Sequence, residues 1–462
     1  MRIISYLGGV LKEYCQYSSL AGLSYIADKS YHYTERLFWL ACVILSWIGS
    51  AYLIVDYMDS YVNNSVSMGV VSLLPIDTLQ FPSIGVCEMG YTKEEYHDLE
   101  KLIYEMMDPN LSQEEKADLY NYDIEDFLMR VIFHNLYNYG SMNTYCKEYI
   151  GTDSPLQCPM KSYQKYADRV RANCSSLFVN CAWNEISFPC CDFFQPIRTT
   201  LGTCYLVNSI QTVTKNSKKW LDLTLSLRLG TGHLNLTVTK SSALYILNEE
   251  DIPHMLLTTL QFPQIPDGYD GELLLSIQDI LNDPYIRNIE PEFRRCKFPD
   301  EGPDSAYKMY SYSTCVTECL KQAQIRACNC THYNLIVDSK DNSTECDYFG
   351  LLCLDEHDLL FPQTTIMQPW RVDGLPCQCL PSCNEAQINV VRHSSKIREK
   401  TRDRSVSIRM QSLPTQRYFR QSVREKIDIV VSVGGILGLF MGASILSLVE
   451  LIYFFTVRTF RR

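Results

Sequence analysis

Residues Ile429 to Val457 read IVVSVGGILGLFMGASILSLVELIYFFTV, an apolar run whose single charge is Glu450 and which Arg458, Arg461 and Arg462 follow. At 1.5 Å rise per residue, roughly 20 apolar residues cross the hydrocarbon core of a bilayer, so the run predicts a membrane-spanning helix at 429–457. A second run, Leu37 to Val55 (LFWLACVILSWIGSAYLIV), carries no charge and predicts another span at 37–55. A hydrophobic content of 46% in 462 residues would suit a soluble protein; the bunching of those residues is what excludes one. The mixed residues before the first run, with Lys29, Glu35 and Arg36, do not have the short basic start of a cleaved signal peptide, so that run reads as an uncleaved anchor.

Short basic flanks stay on the cytoplasmic side. Arg36 before the first span and three arginines after the second therefore place residues 1–36 and 458–462 in the cytoplasm and 56–428 outside, in a multi-pass protein of the plasma membrane. Cysteine usage gives an independent reading: 18 of the 20 cysteines fall in residues 56–428, an even number suited to an oxidising compartment. Glycosylation sequons agree, at Asn63, Asn110, Asn173, Asn235 and Asn342, with a sixth at Asn329 whose middle residue is Cys330. Residues 56–426 also hold 35 of the 42 Lys and Arg and 48 of the 53 Asp and Glu, an acidic balance that concentrates cations. Against this, residues 392–426 carry eleven basic and three acidic side chains, which are expected to pair with acids elsewhere in the ectodomain.

Within the ectodomain no linker or low-complexity run separates domains, so one body of mixed α and β structure is expected. Residues 94–107 and 113–136 have helical spacing, while Trp220 to Leu229 places Leu at alternate positions and predicts a hairpin turning through Gly230 into LNLTV. Cysteines recur as Cys315-x3-Cys319-x8-Cys328-x-Cys330, then Cys346 and Cys353, then Cys377-x-Cys379-x3-Cys383. Paired cysteines build either zinc sites or disulfides; the extracellular, even-numbered setting selects disulfides and no metal.

These residues resemble the degenerin/epithelial sodium channel/acid-sensing ion channel superfamily, closest to its insect pickpocket branch. The resemblance lies in Phe81-Pro82-Ser83-Ile84-Gly85-Val86-Cys87, in Leu201-Gly202-Thr203-Cys204-Tyr205-Leu206-Val207-Asn208-Ser209, in Tyr310-Ser311 with the ten cysteines from Cys296 to Cys383, and in Gly434 to Glu450. It implies a membrane α+β fold, two transmembrane helices bracketing a large disulfide-rich extracellular α/β domain, assembled as a homo- or heterotrimer. It also implies the pairs Cys87–Cys204, Cys296–Cys383, Cys315–Cys379, Cys319–Cys377, Cys328–Cys353 and Cys330–Cys346. Cys181 is left to choose between Cys190 and Cys191, and Cys146, Cys158 and Cys174 have no assignment.

By the same resemblance Gly442, Ala443 and Ser444 form a selectivity filter, where small side chains leave carbonyls and a hydroxyl free to replace a cation's hydration water. Val431, Ser432, Gly434, Gly435 and Gly438 belong to the pore and gate; the glycines are equally suited to helix packing. Glu450 either forms a ring that attracts cations or lies near the headgroups close to Arg458. Ala21-Gly22 stands where the family has a His-Gly pair used in gating, and Val431 stands where relatives have a small residue, which predicts a raised basal leak. Ser432 replaces an Asp of acid-sensing relatives, Gln387 a common Tyr, and the short tail has no Pro-x-Tyr motif. The expected function is a subunit of a trimeric sodium-selective, amiloride-sensitive type of cation channel, sensory or epithelial. Na+ is then the transported ion, the lipid bilayer and related subunits the partners, and an extracellular ligand one of the stimuli relatives use. No cofactor and no nucleic acid is expected. The alternatives are a non-conducting auxiliary subunit and a two-span scavenger or lipid receptor. An enzyme has nothing to rest on, since phosphate-loop, Gly-x-Ser-x-Gly and His-Glu-x-x-His motifs are all missing.

Overall fold

A computed structural model describes residues 13–63, 65–72, 79–90, 93–106, 110, 112, 114–115, 122–133, 146, 158–226, 228–254, 268–302, 306–336, 343–360, 375–397, 403–414, 416–423 and 426–458. The chain folds as two units, one from residues 1–69, 282–294 and 419–462, the other from residues 70–281 and 295–418.

In the first unit the leading apolar run becomes one helix, Tyr33–Asn63, longer than the predicted span at both ends. The reason is local: neither Tyr33 to Arg36 nor Asp56 to Asn63 contains a Pro or Gly, so helical bonding continues where hydropathy stops. Phe38, Leu45, Ile48 and Tyr52 are each more than half exposed, and Ser50 is its one buried residue. This helix is long and apolar enough to cross a membrane. Gly49 lets it meet the second apolar run closely, since a Cβ there would lie 3.0 Å from the Phe440 ring. That second run is not one rod: helices Lys426–Met441 and Ile445–Tyr453 are bent by 73° across a three-residue break, and Phe454–Arg458 closes as a π turn. Ser65 ties in the 282–294 segment, its hydroxyl donating to the Phe293 carbonyl at 2.8 Å and its carbonyl accepting from Val423 at 3.1 Å.

The second unit is mixed α and β, with two principal sheets. One has four strands in the order 242–247, 83–88, 202–207, 195–199. The other has six, in the order 387–397, 269–278, 404–410, 233–238, 178–183, 186–188, with only the 269–278/404–410 pair parallel. Strand Ser83–Glu88 is buried at every position, because Ile84 and Val86 enter one apolar core while Cys87 enters another with Leu206 and Tyr245. A third core joins helices Lys93–Met106, Tyr122–Phe133 and Tyr163–Val170 to the cysteine-rich helices Tyr312–Cys328 and Tyr348–Glu356.

The hairpin expected from Trp220 to Leu229 is not formed. Leu223 and Leu225 are fully buried, as alternation requires, but Thr224–Leu225 pairs with Leu79–Gln80, and His233–Val238 pairs with the strands at 178–183 and 404–410. A turn closed by the Gly230 amide on the Ser226 carbonyl at 2.8 Å ends the strand early, and Leu229 is left exposed. Of the residues 113–136 read as helical, Tyr122–Phe133 forms a helix; most of 113–121 lies outside the described residues.

All eighteen cysteines between the two apolar runs are in disulfides. They join Cys87 to Cys204, Cys296 to Cys383, Cys315 to Cys379, Cys319 to Cys377, Cys328 to Cys353 and Cys330 to Cys346. The choice left open at the doublet falls to Cys181–Cys190 and Cys174–Cys191, and Cys146 bonds Cys158. Cys181 and Cys190 lie on a strand and the short helix beside it, which brings their Cα atoms to 5.5 Å. Cys15 and Cys42 remain as thiols.

Candidate functional site

The break in the second apolar run is a product of three residues. Gly442 turns with φ +64°, a left-handed conformation that costs an L side chain about 1–2 kcal/mol. Its amide still donates to the Gly438 carbonyl at 2.9 Å, and Ala443 reaches back to the Leu437 carbonyl at 3.3 Å, which is how a helix ends on glycine. Ser444 is extended and caps the next helix: its hydroxyl accepts from the Ser447 amide at 3.3 Å, and its own amide donates to the Ser447 hydroxyl at 3.1 Å. Gly442 and Ser444 are exposed and Ala443 is half-buried. At Gly438 a Cβ would stand 3.6 Å from the Ala443 carbonyl oxygen, an ordinary contact, so the break itself does not require glycine there.

A contact that no pattern in the sequence announced secures the break. The Ala21 amide donates to the Met441 carbonyl at 2.9 Å, one of the carbonyls that a helix end leaves without an intrahelical partner. The neighbouring Gly22 turns with φ +87°, and a Cβ there would lie 2.7 Å from a Val43 methyl, so the turn demands glycine. Ser19 follows the same path: its hydroxyl donates to Ser447 at 2.8 Å, and its amide donates to a Glu450 carboxylate oxygen at 3.2 Å. Arg458, which the sequence placed near Glu450, pairs with Glu13 at 2.6 Å and lies over the Phe454 ring. Of the remaining pore and gate candidates, Val431, Gly434 and Gly435 are exposed and Ser432 is half-buried. A Cβ added at Gly434 or Gly435 would meet nothing within 4 Å.

Residues 14–454 match the amiloride-sensitive sodium channel family. The chain belongs to that family. Among its relatives are pickpocket protein 19 of Drosophila melanogaster, 21% identical over 474 residues that cover 95% of this chain and 88% of the relative. Sodium channel protein Nach of Drosophila ananassae is likewise 21% identical, covering 98% and 88%. Pickpocket protein 28 of D. melanogaster is 22% identical, covering 97% and 78%. A proton-activated chloride channel structure covers 92% of this chain and 97% of its own at 6% identity, with a TM-score of 0.24, too slight a likeness to argue from. The amiloride-sensitive sodium channel family is one of plasma-membrane ion channels and not of enzymes.

The sequons take varied positions. Asn63, Asn110, Asn173 and Asn329 are exposed, Asn235 is half-buried in strand His233–Val238, and Asn342 lies outside the described residues. Asn173 also caps a helical turn through the Ser176 amide at 2.9 Å.

The second unit holds a buried acidic pair that the sequence did not single out. Burial, the neighbouring Asp251 charge and an opposing hydrogen bond from Ser382 at 2.6 Å leave Glu250 pushed up to about 7. Asp251, which accepts from the Ser313 hydroxyl at 2.8 Å, is also raised, chiefly by burial. Burial alone pushes His254 down to about 4, so it is neutral at physiological pH.

Proposed function

We propose that this chain is a subunit of a trimeric, sodium-selective cation channel of the amiloride-sensitive type, with both termini cytoplasmic and the break at Gly442-Ala443-Ser444 as its selectivity filter. One observation carries the reading: within a run as apolar as a bilayer interior, three residues leave the regular helix at a left-handed glycine and a serine cap. Such backbone is tolerated at membrane depth only where it lines water or protein. The helix pair 427–441 and 445–458 is then one broken span, and Na+ sheds its water against the 442–444 carbonyls and the Ser444 hydroxyl. Glu450, one helical turn and a half further on, supplies negative charge on the exit path. The open face at Gly434 and Gly435 is where a neighbouring copy approaches.

The test is whole-cell current from cells expressing the chain alone, with external sodium replaced by potassium and then by a large organic cation. A sodium-carrying, amiloride-blocked current supports the reading. Surface delivery without current, followed by current on co-expression with a related subunit, assigns an auxiliary role; silence in both conditions contradicts the channel.

A further inference from the structure

Beside the filter break lies an open-mouthed cavity of about 160 Å³, lined by the Leu20 to Leu23 turn, by Trp39, Cys42, Val43, Ser46 and Trp47 on the first apolar helix, and by Phe440 and Met441. The five helix positions share one face, at spacings of three and four. A space of roughly 150 Å³ is large enough for a guest the size of benzene. The rim at Trp47 is 55% exposed and runs into the bare apolar surface of the same helix at Ile44 and Ile48. Its polar side-chain atoms are those of Ser46 and Cys42 and the indole N–H groups of Trp39 and Trp47, among otherwise apolar side chains.

We propose that the cavity receives the end of an alkyl chain from the surrounding bilayer lipid. The occupant follows from continuity: if Tyr33–Asn63 spans the membrane, as the proposed function requires, the surface leading into the cavity is covered by hydrocarbon. A chain end seated there packs against the Gly22 turn and the Met441 end of the broken helix, the two elements joined by the Ala21–Met441 hydrogen bond. The lipid thereby supports the break from its side facing the bilayer.

Cys42 is a built-in reporter, because Cys15 and Cys42 are the only free thiols. The full chain carrying Cys15→Ser is placed in phosphatidylcholine vesicles and treated with hexyl methanethiosulfonate or its trimethylammonium-ethyl counterpart. Thiolate attack on the sulfenyl sulfur forms a mixed disulfide and expels methanesulfinate, read as a mass increase. The hexyl reagent is expected to add about tenfold faster than the charged one, Ser46→Leu to slow it about tenfold by filling the space, and Ser46→Ala to leave it unchanged. Tryptophan emission is expected to be quenched by phosphatidylcholine brominated at the chain end and partly relieved once the hexyl group displaces the chain. Equal rates for both reagents, indifference to Ser46→Leu, or unrelieved quenching would overturn the proposal, as would blocked labelling that appears only on dilution into excess lipid, the mark of a second copy covering the site. An Ile44→Cys variant separates this from the wider reading: its reaction with the charged reagent would overturn the membrane span itself, whereas an unreactive Ile44→Cys beside an unlabelled Cys42 would overturn the cavity alone.

Discussion

Two helical regions of this protein begin with the same device and end differently. Helix Tyr312–Cys328 starts at Ser311, whose hydroxyl accepts from the Thr314 amide, as helix Ile445–Tyr453 starts at Ser444 with Ser447. Ser311 is buried, follows a turn, and opens a helix that three disulfides hold, at Cys315, Cys319 and Cys328. Ser444 is exposed and follows another helix by three residues, with hydrogen bonds from Ser19 and Ala21 as the local ties. A serine cap before an ordinary helix is a start signal. Inside a continuous apolar run the same signal marks a place where the backbone is let go. The first region is fixed covalently, and the second is tied by hydrogen bonds alone.

The largest expected difference between the regions is covalent. Replacing Cys315 and Cys379 together by Ser should lower stability by about 2–5 kcal/mol, read as a fall in the melting temperature of the full chain in detergent. The same pair of changes in the second region, at Cys15 and Cys42, should leave it unmoved. Next comes the acidic pair. Glu250 has a folded-state value of about 7, above its ordinary 4.5. The stability it contributes is therefore complete below about pH 4.5 and is lost as pH rises through 7, a change of order 3 kcal/mol. Glu250→Gln should flatten that part of the stability curve, and a profile unchanged by the substitution would refute the assignment. Smaller still are the caps: Ser311→Ala and Ser444→Ala should each cost about 1 kcal/mol of helix stability, but only Ser444→Ala should alter Na+ over K+ permeation. The smallest is Gly434→Ala, which should stabilise its helix by roughly 1 kcal/mol in the isolated chain. If that variant instead abolishes current while raising the melting temperature, the open glycine face is a subunit contact.

The two regions were also unequally legible. Hydropathy located both apolar runs because it sums over twenty residues, and for the same reason it could not see a three-residue break or the four helical residues before Leu37. The break rested on small residues, Gly442 to Ser444, whose left-handed turn and cap are local chemistry that a window average erases. Cysteine spacing did not decide between Cys190 and Cys191, since adjacent residues differ only in which side of a short helix they occupy. The leucine alternation at 221–225 correctly marked a buried face, yet alternation is silent about which strand pairs with it, and the expected hairpin was replaced by pairing with Leu79–Gln80. The docking of Ser19 and Ala21 on residues more than 400 positions away left no periodic trace at all. Glu250 and Asp251 belong to no motif, and only the packing around them raises their proton affinity.

A filter at residues 442–444 must face the ion stream. The most direct measurement is the current carried by Ser444→Cys in a Cys15→Ser, Cys42→Ser background while a small charged methanethiosulfonate is applied from outside. A filter there gives a reduced preference for sodium over potassium before treatment and loss of current as the thiol is modified. An unaltered sodium preference together with a current indifferent to the reagent would contradict it.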